Sequence, residues 1–186
     1  MKRLLDIAAS SLGVVVLSPL AIVVWIAVRC TSRGPAFHRS RRIGQYGEVF
    51  EMLKFRTMLH DTPQVATHLL EDANSFLTPI GSFLRRTSLD EIPQLLNVLK
   101  GEMSLVGPRP ALFNQLDLAA MRAEVGLDSL RPGITGLAQI SGRDQLELPA
   151  KVELDHEYLV NQSTLFDLKI ILATASRLAG DGDVTH

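Results

Sequence analysis

Two adjacent carboxylates, Asp90 and Glu91, follow two arginines in the run Arg85-Arg86-Thr87-Ser88-Leu89-Asp90-Glu91-Ile92-Pro93-Gln94-Leu95. Ser88 can cap a helix that starts there, with Glu91 completing a capping box. If Asp90 caps instead, Pro93 falls in the first turn, where its missing donor costs little. On either reading both carboxylates lie at the positive end of a helix dipole, which favours their ionised form. Taken alone, the pair reads as ordinary N-terminal acids on a capped helix. Cations elsewhere point to more. Lys54 and Arg56 end an expected strand, Arg85 and Arg86 precede the pair, Arg109 sits between Pro108 and Pro110, and Arg143 follows Gly142. Singly, each could be a solvated charge. Together they suit a phosphoanhydride substrate, because arginine grips phosphate through two parallel hydrogen bonds and the reacting groups are anionic. The two prolines fix φ on both sides of Arg109 and so hold its guanidinium and nearby amides in place.

An apolar segment has to bring this chemistry to a particular surface. Residues 7–28 carry no charge, and 22 residues of helix reach about 33 Å, enough to cross a bilayer core. A cleaved signal peptide fits poorly, because Asp6 intrudes before the run and Arg29-Cys30-Thr31 follows it in place of a small-x-small site. A straight spanning helix has Ser18-Pro19 at its centre, where proline removes a backbone donor. Lys2 and Arg3 precede the run and five arginines (Arg29, Arg33, Arg39, Arg41 and Arg42) follow it. Basic flanks prefer the cytoplasmic side. The favoured reading is therefore a re-entrant helix broken at Ser18-Pro19, with both ends on one face. Ser18 then satisfies a carbonyl freed by Pro19, and Asp6 pairs with Lys2, Arg3 or Arg29.

The remainder reads as α+β, mostly helical. Residues 35–58 form a small β-hairpin around Gly44-Gln45-Tyr46-Gly47. Residues 60–78 form a loop with a short helix. Short helices are expected over 79–87 and 88–99, an extended proline-bounded segment over 103–110, and a Gly-rich strand and loop over 131–143. Amphipathic helices are expected over 111–125, 150–161 and 164–178. In the last of these Leu165, Leu168, Ile171, Leu172 and Ala175 share a face, which serves either core packing or an interfacial helix on the membrane. The expected organisation is a membrane helix at 1–30, a cytoplasmic catalytic domain at 31–179 and a disordered tail at 180–186.

Composition narrows the classes. With 19 basic and 20 acidic residues there is no global basic field for nucleic acid. Cys30 is the one cysteine, so no internal disulfide forms, and the five histidines lack metal-ligand spacing.

The ordered series of segments resembles the bacterial sugar transferase family, the small monotopic phosphoglycosyl transferases. It comprises Lys2-Arg3-Leu4-Leu5-Asp6, Ser18-Pro19, Gly34-Pro35-Ala36-Phe37, Lys54-Phe55-Arg56-Thr57-Met58, the run from Arg86 through Asp90-Glu91 to Pro108-Arg109-Pro110, and Arg131-Pro132-Gly133 through Ser141-Gly142-Arg143. The resemblance covers nearly the whole chain and implies a minimal catalytic unit. It implies attack of Asp90 on the β-phosphate of a UDP-sugar, release of UMP, and transfer of the phosphosugar from Asp90 to a polyprenyl phosphate. It further implies Mg²⁺ held by Glu91, contact with membrane lipids, and residence on the cytoplasmic face of the inner membrane with both termini cytoplasmic. Residues Asp155-His156-Glu157-Tyr158 and Asp167 also look family-like without an assignable role, and an amphipathic surface could support a homodimer. A membrane-bound nucleotide-diphosphosugar hydrolase and a non-catalytic scaffold for glycosyltransferases are the alternatives. The sugar and the pathway are not legible.

Overall fold

In the computed structural model, which describes residues 1–59, 62, 73–142 and 146–180, the apolar run is the body of one helix, α1 (Lys2–Thr31). It is long and apolar enough to cross a membrane, and little of its apolar window is covered by the rest of the chain. Leu4, Leu12, Val15, Val16, Val23 and Trp25 are all exposed. The expected break at Ser18-Pro19 is not a break in the helix, which continues through Pro19. Pro19 has no N–H to offer the Val15 carbonyl, and Ser18 Oγ donates to that carbonyl at 2.8 Å instead. The local repair expected of Ser18 is therefore present.

Both ends of α1 are tied to the same body. At the start, Lys2 Nζ meets Asp167 Oδ2 at 2.7 Å and Arg3 donates to the carbonyls of Val98 and Leu99 at 2.6 and 3.0 Å. Asp6 does not pair with Lys2, Arg3 or Arg29. It is buried, and it accepts from Ser104 Oγ at 2.9 Å and from the Leu105 amide at 3.1 Å. Those fixed donors satisfy a carboxylate that could not be left bare inside the protein. At the far end, Val24 and Val28 pack with Ala36, Phe55 and Leu84.

The hairpin forms as expected. Strands β1 (Phe37–Ile43) and β2 (Val49–Phe55) pair antiparallel from Phe37↔Phe55 to Ile43↔Val49. Helix α2 (Gly81–Arg86), a 3₁₀ turn at Leu89–Glu91 and helix α3 (Gln94–Lys100) follow. Asn97 is wholly buried and stitches α3 to β2. Its Oδ1 accepts from the Leu53 amide at 3.0 Å, and its Nδ2 donates to the Glu51 carbonyl at 2.7 Å.

A second sheet was not foreseen. Strands β3 (Ser104–Val106) and β4 (Gly133–Thr135) pair in parallel, Ser104 against Gly133 and Val106 against Thr135. Three residues per strand leave no alternating pattern to read, and the glycines needed for close approach look like loop residues. A Cβ on Gly133 would stand 2.1 Å from the Gly107 nitrogen. Between the strands lies α4 (Leu116–Glu124), and α5 (Leu137–Ser141), α6 (Leu148–Asn161) and α7 (Thr164–Gly180) complete the described chain.

On α7 the face made by Leu165, Leu168, Ile171 and Leu172 is exposed. The core side is Ile170, which packs with Val106 and Tyr158, with Phe166 against them. Core packing does not explain that leucine face.

Candidate active site

The two carboxylates do not cap a helix. Ser88, Asp90 and Glu91 precede α3 in a separate 3₁₀ turn, and neither Ser88 nor Pro93 makes a side-chain cap bond. Ser88 takes φ 53° and ψ 19°, a left-handed conformation that costs a non-glycine residue about 1–2 kcal/mol. That reversal starts the turn that carries Asp90 and Glu91 under the end of β2.

Lys54 sits between the two carboxylates. Its Nζ is 2.7 Å from Glu91 Oε1 and 3.7 Å from Asp90 Oδ2. Arg109 Nη1 is 3.7 Å from Glu91 Oε1. Arg85, from the last turn of α2, is half-buried and donates from Nε to Thr57 Oγ1 at 3.0 Å. The structure thus gathers Asp90, Glu91, Lys54, Arg85 and Arg109. Asp90 is 5% exposed. Burial raises its carboxyl above the ordinary value; Lys54 pulls it back, Glu91 adds to the rise, and Arg85 and Arg109 lower it. Burial outweighs the cations, the reverse of the balance expected from a helix N-terminus. Burial also lowers Arg85, while Asp90 opposes that shift.

Two other expected phosphate ligands are elsewhere. Arg56 is buried and clamps the exit of α1, donating to the Arg33 carbonyl at 2.7 Å, the Ser32 carbonyl at 2.9 Å and Ser32 Oγ at 2.7 Å. It lies on β-strand parity with Lys54 only at two residues' remove, past the end of β2, where the chain leaves the sheet and turns the guanidinium toward α1. Gly34 makes room for it: φ is +113°, and a Cβ there would lie 2.2 Å from Arg56 Nη1. Arg86 is exposed on the last turn of α2. Arg143 lies outside the described residues, as does the expected tail from 181 onward.

Sequence reading missed the support behind Arg109. Arg122 of α4 donates from Nη1 to the Arg109 carbonyl at 2.8 Å and from Nη2 to Asp155 Oδ2 of α6 at 2.6 Å. Asp155 is 1% exposed, and burial raises its carboxyl while Arg122 opposes the rise. Asp167, also without an assigned role, joins Lys2 to the Tyr158 hydroxyl, which donates to Asp167 Oδ1 at 2.6 Å. His38 also stands near the site. It is opposite Lys54 in the hairpin register, and desolvation, then Arg42, Lys54 and Arg85, lower its imidazole; because the side chain is exposed, solvent weakens that effect.

Among the described residues no group of three or more His, Cys, Asp or Glu could hold a metal alone. The adjacent carboxylates of Asp90 and Glu91 still fit Mg²⁺, which commonly takes one or two protein carboxylates and fills its remaining positions with phosphate and water.

The profile described as "Bacterial sugar transferase" matches residues 1–181. The exopolysaccharide production protein ExoY of Sinorhizobium fredii is 41% identical over 189 residues, covering 93% of this chain and 83% of that protein. The undecaprenyl-phosphate galactose phosphotransferase of Salmonella typhimurium is 37% identical over 94% of this chain. The UDP-glucose:undecaprenyl-phosphate glucose-1-phosphate transferase of Klebsiella pneumoniae is 41% identical over 93% of it. Both phosphotransferases are much longer, and the match spans 40% and 39% of their lengths.

Proposed function

The chain belongs to the bacterial sugar transferase family, and on that premise we propose that it moves a sugar 1-phosphate from a UDP-sugar to polyprenyl phosphate, with Asp90 as nucleophile. An Asp90 oxygen attacks the β-phosphorus; the bond from that phosphorus to the bridging oxygen breaks, and UMP leaves with the oxygen. A phosphate oxygen of the lipid then attacks the same phosphorus, the bond to Asp90 breaks, and the carboxylate is restored. A covalent intermediate lets a water-soluble donor and a lipid acceptor use one site in turn. The observation that carries this reading is Lys54 held between two carboxylates, one of them buried, with Arg85 and Arg109 alongside. Such cations stabilise a diphosphate and its leaving group, and they oppose, without cancelling, the rise that burial imposes on the nucleophile's carboxyl.

Glu91 is the proposed Mg²⁺ ligand, with Asp90 beside it. When bound, the metal neutralises diphosphate charge and eases departure of UMP. Lys54 and Arg109 orient the phosphates, and the burial of Asp90 keeps water from the adduct, which separates transfer from hydrolysis.

The proposed setting is the cytoplasmic face of the inner membrane, with α1 as a re-entrant anchor and both termini cytoplasmic. Support comes from the ties at both ends of α1 to one body, from its exposed apolar surface, and from the exposed leucine face of α7. A single crossing that left one end of α1 beyond the bilayer would break one set of those ties.

The test is UMP release from a panel of UDP-sugars by purified protein with Mg²⁺ and undecaprenyl phosphate. Release with one donor, dependent on the lipid and lost in Asp90→Asn, supports the proposal and names the sugar. Lipid-independent release in multiple turnovers points to a hydrolase. Absence of UMP from every donor refutes the assignment for that panel and favours a scaffold.

A further inference from the structure

Beside Glu91 and Arg109 lies a slot of about 230 Å³ whose walls come from α1, α3, β4, α5 and α7. Ser88, Glu91 and Arg109 form a polar part of its wall, and Leu17, Ile92, Leu95, Ile134 and Leu178 supply the apolar part. Building on the transferase reading above, we infer that this slot seats the phosphate-proximal prenyl units of the acceptor lipid, with the lipid phosphate against the Glu91–Arg109 end.

The lining favours a hydrocarbon over the donor's sugar. Hydroxyls placed against Leu17, Leu95 and Leu178 would lose water without gaining partners. The two threonines of the wall satisfy each other, Thr135 Oγ1 and Thr174 Oγ1 being 2.7 Å apart, and Gln139 donates to the Ile134 carbonyl at 3.1 Å, which leaves its Oε1 as the one buried acceptor of the described wall without a partner, too few for the several hydroxyls of a sugar. The volume is below the roughly 300–1,000 Å³ usual for drug-sized ligands. It suits a short segment of a long chain better than a whole nucleotide sugar.

The path into the slot is also apolar. Leu17 belongs to α1, whose neighbouring Val15, Val16 and Leu20 are exposed. Leu165, Leu168 and Leu172 are exposed along α7, and helical spacing carries their stripe through Ala175 to Leu178 at the slot. A prenyl chain on the outer surface of these two helices enters the slot past Leu17 and Leu178, leaving Thr135, Thr174 and Gln139 as the polar part of the wall on its way to Glu91. An amphipathic acceptor, with charge at one end and hydrocarbon at the other, matches that order of walls.

The test uses the full chain in nanodiscs and a polyprenyl phosphate bearing a diazirine on its first isoprene unit. Irradiation should label peptides containing Leu17, Leu95 or Leu178, and unmodified undecaprenyl phosphate should compete. In parallel, Leu178→Glu should raise the acceptor KM at least tenfold, well out of proportion to any change in single-turnover UMP release. Labels confined to the hairpin, or an unchanged acceptor KM in that variant, overturn the inference while lipid-linked product still supports the transferase. A raised donor KM with unchanged acceptor KM assigns the slot to the sugar and also overturns it. Failure of wild-type protein to release UMP or form lipid product defeats the underlying reading, and the inference falls with it.

Discussion

Removing Arg122 or Asp155 separates the support of the site from its chemistry. The pair is buried, with side-chain exposures of 12% and 1%, and its atoms are 2.6 Å apart. Arg122→Met leaves the Asp155 charge without its partner, and breaking one side of such a pair costs about 3–5 kcal/mol. At roughly 2–4 °C per kcal/mol for a chain of this size, melting should fall by about 6–20 °C. Arg122→Met with Asp155→Leu removes both charges, and an apolar replacement of a buried pair is often neutral in stability. The double variant should therefore recover most of the melting temperature. It should not recover activity, because the Arg109 carbonyl still lacks the donor that holds it at 2.8 Å. Displacement of a positioning group by about 1 Å costs on the order of 100-fold in rate, so kcat for UMP release should stay about 10- to 100-fold low. The assay is differential scanning fluorimetry beside single-turnover UMP release. A double variant with both wild-type melting and wild-type kcat would refute the view that Arg122 positions Arg109.

Asp155 also gives a pH dependence. Its folded carboxyl is raised above the ordinary value, by burial first. Its contribution to stability is then full below the unfolded value of about 3.9 and is lost as pH rises through the folded value. Asp155→Asn should flatten that decline in a series of melts across acid pH, and an unchanged slope would count against it. Gly133→Ala should destabilise the fold severely, since the new Cβ would meet the Gly107 backbone nitrogen at 2.1 Å; a normal melting curve would show that the β3–β4 approach is looser than described. Lys54→Met should retain the fold and lose UMP release by at least 100-fold, because Lys54 joins both carboxylates; near-normal turnover would remove it from the site. Exposed Cys30 and a cysteine added before Met1 should both resist a membrane-impermeant maleimide in intact cells and react once the cells are opened. Labelling of either in intact cells would defeat the re-entrant path.

The helices and hairpin were legible wherever a pattern ran long enough to repeat. The apolar length of α1, the alternation flanking Gly44–Gly47 and the 3.6-residue spacing of α7 are such patterns. Local spacing was weaker for short, tertiary features. The capping box at Ser88 looks sound in sequence, yet Lys54 and the arginines claim the carboxylates and Ser88 bends into a left-handed turn. Asp90, Glu91, Lys54, Arg85 and Arg109, which charge type and rigid flanks set apart in the sequence, lie together in the fold. Arg56 stands at the strand end as expected, but a basic residue there reads alike whether it faces a phosphate or, as here, the carbonyls of Ser32 and Arg33. The Arg122–Asp155 support joins residues 33 positions apart, and no local pattern signals it. Nor could the face of Leu165, Leu168 and Leu172 be assigned before Ile170 was seen to supply the core contact.

In the proposed reaction Asp90 carries the phosphosugar covalently. Purified protein incubated with the productive UDP-sugar and Mg²⁺, but no lipid acceptor, should gain the mass of one sugar phosphate in an intact-protein spectrum. Peptide mapping should place the added mass on Asp90, undecaprenyl phosphate should discharge it, and Asp90→Asn should neither gain the mass nor turn over. Lipid-linked product formed at a normal rate by Asp90→Asn would contradict the account.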